Sequence, residues 1–168
     1  MKRIAIFGLP GSGKSTFADK LGKKLELPVH HLDRHFFVEN WKERDREDFL
    51  NWQQERVDEN EWIIEGNSIA SLEMRFKRAD TVIYFQLPRY LCLWRVFMRP
   101  FFHDASLIDI PDGCTKNVSF KLLKYLWYFD EDKKNRIKEL RLMYPEVKFI
   151  TFTKSEDVEK HLKMTPDR

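Results

Sequence analysis

A short glycine-rich segment near the beginning of the chain constrains the fold more than any other feature. Residues 8–15 read GLPGSGKS and match the pattern G-x-x-x-x-G-K-[ST] at every fixed position. They follow the apolar residues 4–7 and precede a stretch of helical periodicity that begins at Lys14. A strand, a glycine-rich loop and a helix in this order surround phosphate groups with backbone N–H groups. The chain is therefore predicted to bind ATP or GTP.

The residue types in this loop have distinct expected tasks. Glycines let the backbone curl tightly, with positive φ where needed, so that N–H groups point at phosphate oxygens. Lys14 is expected to place a positive charge on the β and γ phosphates, and the Ser15 hydroxyl to bind Mg²⁺. The sequence lacks the guanine-reading motif N-K-x-D of GTPases, so ATP and Mg²⁺ are the expected cofactors. The predicted nucleotide-binding residues are Gly8, Pro10, Gly11, Ser12, Gly13, Lys14, Ser15 and Thr16.

Short apolar runs alternate with longer segments of helical periodicity along the rest of the chain. Strands are predicted at residues 2–7, 28–32, 62–65, 81–87 and 147–152. Helices are predicted at residues 14–25, 46–58, 68–77, 89–98 and 118–143, with a last short helix capped by Thr153 or Ser155. This alternation is typical of an α/β fold, a parallel sheet with crossover helices, and it is expected to form a single domain over residues 1–168.

Composition excludes several classes of protein. With 42% hydrophobic and 34% charged residues, the chain has too many core-forming side chains to be disordered. No apolar run approaches the roughly 20 residues of a membrane span, and no signal peptide precedes the glycine-rich loop. A cytoplasmic location is expected, with Cys92 and Cys114 as reduced thiols. The net charge of +3 is too small to indicate nucleic-acid binding, although acidic residues are concentrated between residues 39 and 61.

Two carboxylates follow predicted strands at the edge of the sheet where ligands bind. Asp33, after HHL, is placed to orient or deprotonate an acceptor hydroxyl, although it could also cap a helix or turn. The neighbouring histidines are expected to pack and form hydrogen bonds rather than hold a metal. Glu65 ends the third strand and is expected to reach Mg²⁺ or its water shell, as a Walker B carboxylate does. Gly66 would allow a ligand to approach closely, and Asn67 either binds substrate or caps the next helix.

Several arginines are candidates for contacts with phosphate groups. Arg75 lies on the helix after Glu65, while Arg95 and Arg99 are four residues apart on one face of a later helix. The alternative is that they are solvated surface charges. Residues 100–117 resemble a mobile cover over the site. Weaker candidates are Lys116, Lys121, Lys124 and Arg136.

Several segments follow one another in a recognisable order: GLPGSGKS, HHLDRHFF, EWIIEGNS and DTVIYFQLPRYLCLWRVFMR, then DGCTKN, KYLWYF and KFITF. In this order they resemble the topology modulation (FlaR-type) proteins, a branch of the adenylate-kinase-like P-loop kinases, over nearly the whole chain. The resemblance implies a P-loop NTPase three-layer sandwich with five parallel strands in the order 2-3-1-4-5. It also implies an acceptor-binding flap at about residues 34–60 and an arginine-bearing lid at about residues 99–128. Glu65 stands where family members carry Asp, and residues 100–102 (PFF) stand where they often carry arginines.

The sequence therefore predicts a small-molecule kinase that moves the γ-phosphate of Mg-ATP to a small acceptor, a nucleoside monophosphate or a nucleoside. The expected catalytic residues are Lys14, Asp33, Glu65, Arg95 and Arg99, with Ser15 and Glu65 at the metal. The expected acceptor-binding residues are Asp33, Phe36, Trp41, Gly66, Asn67 and Arg75.

The alternative is a nucleotide-binding regulator or DNA-associated ATPase without a dedicated acceptor. Its support is the lysine- and aromatic-bearing stretch 116–129, which could lie along phosphates while its rings stack on bases. The same stretch also fits an amphipathic lid helix, and no helix-turn-helix or comparable DNA-reading motif is evident.

Overall fold

The computed structural model describes residues 1–38, 41–98 and 131–168. The strands are β1 (Arg3–Gly8), β2 (Val29–His31), β3 (Phe37–Val38), β4 (Lys42–Glu43), β5 (Trp62–Glu65), β6 (Thr81–Phe85) and β7 (Lys148–Phe152). The helices are α1 (Lys14–Leu25), α2 (Leu32–Phe36), α3 (Arg46–Asp58), α4 (Leu72–Arg78), α5 (Arg89–Met98), α6 (Glu131–Met143) and α7 (Ser155–Met164). The predicted lid, with Arg99 and Cys114, lies outside the described residues, as does the first part of the predicted helix 118–143.

The central layer is a parallel sheet of five strands in the order β2-β5-β1-β6-β7. Counted among the five parallel strands, this is the predicted order 2-3-1-4-5. The short strands β3 and β4 form a separate antiparallel pair. Because the strands of the main sheet are parallel, the carboxyl ends of β2, β5 and β1 meet at one edge.

The sheet is covered on both faces, as the predicted three-layer sandwich requires. Successive side chains of β1 point to opposite faces of the sheet, as they do in any β-strand. Ile4 and Ile6 pack with Phe17 and Leu21 of α1 on one face. The opposite face of the sheet packs against α3, α4 and α6, with core residues Ala5, Phe7, Val57, Trp62, Phe76 and Leu140. Every residue of β5 and β6 is buried, which explains why these strands read as continuous apolar runs.

A smaller apolar cluster packs the glycine-rich loop against α5. It contains Leu9, Leu87, Cys92 and Val96, all of them buried. Cys92 carries a free thiol in this cluster. Burial raises the pKa of that thiol, which disfavours its reactive thiolate form.

The last helix begins differently from the prediction. Neither Thr153 nor Ser155 caps α7. The Asp157 carboxylate reaches back instead, accepting hydrogen bonds from the Lys154 N–H at 3.1 Å and the Thr153 hydroxyl at 3.5 Å. Within the three described ranges, no helix combines the length and apolar character needed to cross a membrane.

Candidate active site

The glycine-rich loop has the backbone geometry that its sequence predicts. Gly8, Gly11 and Gly13 have φ values of +146°, +78° and +89°. A Cβ on Gly11 would lie 2.5 Å from the carbonyl oxygen of Cys92, so glycine lets the loop pack directly on α5. A Cβ on Gly13 would meet no atom closer than 4.0 Å, so the space beside this residue is open. Glycine is favoured here by the positive φ and not by close packing.

Helix α1 starts at Lys14 without a side-chain cap, because its N-cap residue is Gly13. The N–H groups of its first turn therefore have no side chain to satisfy them and remain available for an anion. Thr16, in that turn, is exposed. This uncapped start, following the curled loop, fits a bound phosphate chain.

The three residues predicted to handle phosphate and metal come together at the ends of β1 and β5. Lys14 Nζ lies 3.4 Å from Glu65 Oε1 and 3.5 Å from the Leu9 carbonyl oxygen. The Ser15 hydroxyl donates a hydrogen bond of 3.0 Å to Glu65 Oε2. All three side chains are buried, although Ser15 and Glu65 are 50 residues apart in the chain.

Glu65 is held as a carboxylate. Burial alone would raise its pKa, but the charge of Lys14 and the hydrogen bonds from His31 and Ser15 lower that pKa to about 2. A carboxylate beside a hydroxyl supplies the oxygen ligands that Mg²⁺ prefers. The residues present therefore fit a magnesium ion next to the phosphates.

His31, at the end of β2, belongs to the same buried network. Its Nδ1 lies 3.0 Å from Glu65 Oε2, and its Nε2 lies 3.0 Å from Asp19 Oδ1. Burial alone would lower its pKa, but Glu65 and Asp19 together raise the pKa of His31 to about 9. The sequence predicted hydrogen bonding for this histidine cluster without naming the partners, and Asp19 was missed altogether.

Asn67 and Gly66 make contacts within the protein that the sequence did not predict. Asn67 does not cap a helix; its Oδ1 accepts a hydrogen bond of 2.9 Å from the Gly8 N–H and so ties the end of β5 to the loop. Gly66 has a φ of +146°, and a Cβ there would lie 2.6 Å from the Leu32 Cβ. The close approach at Gly66 is thus made by Leu32, and a direct ligand contact there stays a prediction.

Arg75 is buried beneath the loop that follows β5. Its guanidinium donates to the Gly66 carbonyl oxygen at 2.9 Å and to the Ser68 carbonyl oxygen at 2.7 Å. Its exposed fraction is 0%, and burial lowers the pKa of Arg75 to about 10 against the opposing charges of Glu65 and Asp33. Arg75 thus supports the loop from behind, and its predicted contact with substrate stays a prediction.

A cavity of about 240 Å³ lies between α2, the β3–β4 pair, α3 and the loop after β5, and we call it the flap pocket. It includes the predicted residues Asp33 and Phe36. It also includes residues that the sequence did not single out, namely Arg44, Arg46, Phe49 and Ser68. A shallower depression of about 510 Å³ beside α1, lined by Lys23 and Glu26 among others, contains none of the predicted residues.

Trp41 lies outside the lining of the flap pocket. Its ring packs edge-on against Phe37 at a centroid distance of 5.4 Å, and 40% of the residue is exposed. Its φ of +58° is unusual for a bulky residue. A contact between Trp41 and an acceptor stays a prediction.

Among the other predicted arginines, Arg95 lies beside the phosphate loop. It donates to the Ser12 carbonyl oxygen at 3.4 Å and to the Ser155 hydroxyl at 3.0 Å. Arg136, one of the weaker candidates, instead pairs with Glu73 and Glu139. Arg99 and the three lysines 116, 121 and 124 lie outside the described residues.

Solved structures with a similar fold include kinases of small molecules. A gluconokinase from Sinorhizobium meliloti 1021 aligns with a TM-score of 0.59 and 15% identity, covering 96% of this chain and 87% of that one. A shikimate kinase from Acinetobacter baumannii, in complex with shikimate, aligns with a TM-score of 0.54 and 16% identity, covering 98% and 92%. This chain has their fold. A shikimate kinase from Bacteroides thetaiotaomicron gives a TM-score of 0.51 at 14% identity, covering 96% and 94%.

No family model matches the chain, and no curated protein matches it. The resemblance to topology modulation proteins is therefore not confirmed by these comparisons. Because the identities to these three solved structures are 16% or less, the likeness establishes the fold and leaves the acceptor open.

Proposed function

We propose that this chain is a Mg-ATP-dependent phosphotransferase that moves the γ-phosphate of ATP to a hydroxyl group of a small acceptor in the flap pocket. The observation that carries the proposal is the convergence of Lys14, Ser15 and Glu65 behind an uncapped helix start. A pocket that contains Asp33 lies at the same edge of the sheet. This arrangement supports a site in which phosphate, metal and acceptor bind close to one another.

The chemistry follows from the positions of these side chains. Backbone N–H groups of the loop and Lys14 bind the phosphates. Ser15 and Glu65 would hold Mg²⁺, which would supply positive charge to neutralise the phosphates. Asp33 orients the acceptor hydroxyl and accepts its proton as the new oxygen–phosphorus bond forms and the bond to ADP breaks. Arg95 is placed beside the loop to stabilise charge that develops during transfer.

The flap pocket narrows the range of acceptors. Arg44 and Arg46 line it, and the Arg44 Nε–H is held by the His35 carbonyl oxygen at 2.9 Å. Guanidinium groups bind carboxylates and phosphates well. Of the two acceptors that the sequence predicts, this supports the anionic one, a nucleoside monophosphate, over an uncharged nucleoside. The names of the similar structures point to gluconate and shikimate, which are small hydroxylated acids. Both therefore also carry an anionic group.

The test is an ADP-release assay with the wild-type protein and Mg-ATP. Acceptors comprise nucleosides, nucleoside monophosphates, gluconate, shikimate and uncharged polyols. We expect release to rise above the acceptor-free rate with at least one anionic acceptor. The Lys14→Ala variant is expected to lose this activity, whereas Lys20→Ala, an exposed lysine on the same helix, is expected to keep it. Near-normal activity of Lys14→Ala with every acceptor would show that the mechanism is wrong.

The role of the pocket arginines is tested separately. Loss of a charge-assisted hydrogen bond costs about 1.5–3 kcal/mol, which corresponds to about a 10- to 100-fold rise in the acceptor KM. Arg46→Gln is expected to show this rise while the KM for ATP stays unchanged. Arg56→Gln is the matched control, because Arg56 lies on the same helix α3 but pairs with Glu59 outside the flap pocket. Equal acceptor KM values for the two variants would contradict an anion-binding role of Arg46.

The alternative of a DNA-associated ATPase rests on residues 116–129, which lie outside the described residues. It stays a prediction. Equal ADP release with and without every acceptor would favour it, and so would DNA binding whose log K falls steeply with log salt concentration.

A further inference from the structure

Among the residues that the structure describes, the Glu65 carboxylate has three polar partners, and they differ in what they do once a nucleotide binds. Its Oε1 faces Lys14 Nζ at 3.4 Å, and its Oε2 accepts the hydrogen bond from the Ser15 hydroxyl. In the proposed function, both Lys14 and Ser15 turn to the phosphates and the metal. The third partner, His31 Nδ1 at 3.0 Å from Oε2, has no such task.

His31 is itself fixed from the opposite side. Its Nε2 lies 3.0 Å from Asp19 Oδ1, and only 7% of its side chain is exposed. Because both ring nitrogens face carboxylate oxygens, the ring satisfies both contacts only when it carries a proton on each nitrogen. It then stands between two negative charges as a fixed positive charge.

The arrangement also links the imidazole to the helix that carries the metal-binding hydroxyl. Asp19 and Ser15 are four residues apart on α1, so they lie on the same face of that helix. Helix α1 is therefore connected to Glu65 directly through Lys14 and Ser15, and indirectly through Asp19 and His31. When Lys14 and Ser15 turn to the nucleotide and the metal, the indirect connection remains.

We propose that His31 is a positioning residue that holds the Glu65 carboxylate in its metal-binding orientation after Lys14 and Ser15 have turned to the nucleotide. This inference rests on the proposed function, because it takes Glu65 as the carboxylate of the magnesium site. Groups that orient a metal ligand commonly change metal affinity or activity by about 10- to 100-fold when they are removed. His31 acts through Glu65 and touches neither acceptor nor phosphate.

The experiment measures binding as well as activity. The dissociation constant of a fluorescent ATP analogue carrying a methylanthraniloyl group is determined in EDTA and in excess Mg²⁺. The ratio of the two constants is the magnesium factor of each protein. His31→Ala removes both ring contacts, while His31→Asn keeps a donor near the position of Nδ1. His30→Ala is the matched control on the same strand, because His30 faces Glu59 and Trp52 instead of Glu65.

For the wild-type protein we expect a magnesium factor above one. In His31→Ala that factor is expected to fall about tenfold or to one, with little change in the EDTA constant. His31→Asn should retain part of the factor and His30→Ala all of it. With an acceptor identified, His31→Ala is expected to lower kcat and leave the acceptor KM unchanged. Thermal unfolding shows whether each variant is folded. If His31→Ala does not fold, the magnesium factor of His31→Asn tests the proposal in its place.

Other outcomes overturn the inference. If His31→Ala and His31→Asn keep the wild-type magnesium factor, or bind more weakly to the same extent in EDTA and in Mg²⁺, His31 has only a structural role. A wild-type factor of one overturns the role of His31 but leaves ATP binding intact. Absence of nucleotide binding to the wild-type protein in both conditions is a different failure, since it refutes the proposed function itself.

Discussion

Replacing Gly66 by alanine is the substitution whose consequences the structure defines most sharply. Gly66 follows Glu65 and has a φ of +146°, a backbone conformation that is essentially restricted to glycine. An added Cβ would lie 2.6 Å from the Leu32 Cβ and 3.0 Å from its Cγ. Leu32 is 1% exposed and directly precedes Asp33. The methyl group would therefore push apart the segments that carry Glu65 and Asp33.

Two terms contribute to the expected loss of stability. The backbone conformation costs an L-amino acid about 1–3 kcal/mol. Crowding of a well-packed core adds about 1–3 kcal/mol, so Gly66→Ala should lower the free energy of unfolding by about 2–6 kcal/mol. For a chain of this length each kcal/mol lowers Tm by about 2–4 °C. A fall in Tm of about 5–20 °C follows, together with a higher acceptor KM.

Urea unfolding of three variants separates the two terms. Gly13→Ala carries only the backbone term, because its Cβ would meet nothing closer than 4.0 Å. Leu32→Gly removes all the Leu32 side-chain atoms that Gly66→Ala would strike, including the Cβ at 2.6 Å, at its own cost of about 2–5 kcal/mol for the lost side chain and about 1 kcal/mol for the added glycine. The double variant Leu32→Gly/Gly66→Ala should be more stable than the sum of the two single losses predicts by at least about 1 kcal/mol. Strict additivity, or a loss below about 1 kcal/mol in Gly66→Ala, would refute the reasoning.

Three further predictions follow from the buried contacts of the site. The pKa of His31 rises from 6.5 in the unfolded chain to about 9 in the folded protein, so its stabilising contribution is complete below pH 6.5 and is lost toward pH 9. Urea unfolding across that range should show a steeper loss of stability for the wild type than for His31→Asn. Arg75→Lys cannot reach both the Gly66 and Ser68 carbonyl oxygens and should destabilise the protein by about 1–3 kcal/mol, with a raised acceptor KM in the ADP-release assay. Gly11→Ala would place a Cβ 2.5 Å from the Cys92 carbonyl oxygen, so displacement of the loop from α5 should weaken ATP binding in an equilibrium titration.

Some element boundaries could be predicted to the residue because local chemistry sets them. Helix α3 begins at Arg46 as expected, since the Asp45 carboxylate accepts hydrogen bonds from the N–H groups of Glu47 and Asp48 at 2.8 and 3.2 Å. Helix α5 begins after Pro88, whose carbonyl oxygen accepts from the Cys92 N–H at 3.2 Å. Both signals are readable in a few consecutive residues.

Other boundaries depend on contacts between distant parts of the chain. Helix α4 starts at Leu72, later than predicted. The residues before it form a loop held by Arg75 and by a hydrogen bond of 2.6 Å from the Ser71 hydroxyl to Gln53 Oε1 on α3. Strand β6 stops at Phe85 because its neighbour β7 stops opposite, at Phe152. The short elements α2, β3 and β4 were not predicted at all, since so few residues carry no readable periodicity.

The candidate site likewise has parts that local sequence predicts and parts that depend on contacts between distant segments. The geometry of the glycine-rich loop could be predicted because its signal is contained in eight consecutive residues. Arg44 and Arg46 were missed because nothing local distinguishes them from the other charged residues between positions 39 and 61. They become notable only when the fold places them around the same cavity as Asp33 and Phe36.

The strand order is what converts these separate segments into a site. Strand β5 lies between β2 and β1, with His31 and Ile6 as its register partners at Glu65. Glu65 is therefore flanked by the end of β2, which carries His31, and by the end of β1, which leads into Lys14 and Ser15. In a sheet with β5 at an edge, Glu65 would have one of these neighbours and lose the other. The carboxylate thus contacts Lys14 and Ser15 on one side and His31 on the other because the third parallel strand is inserted between the first and the second.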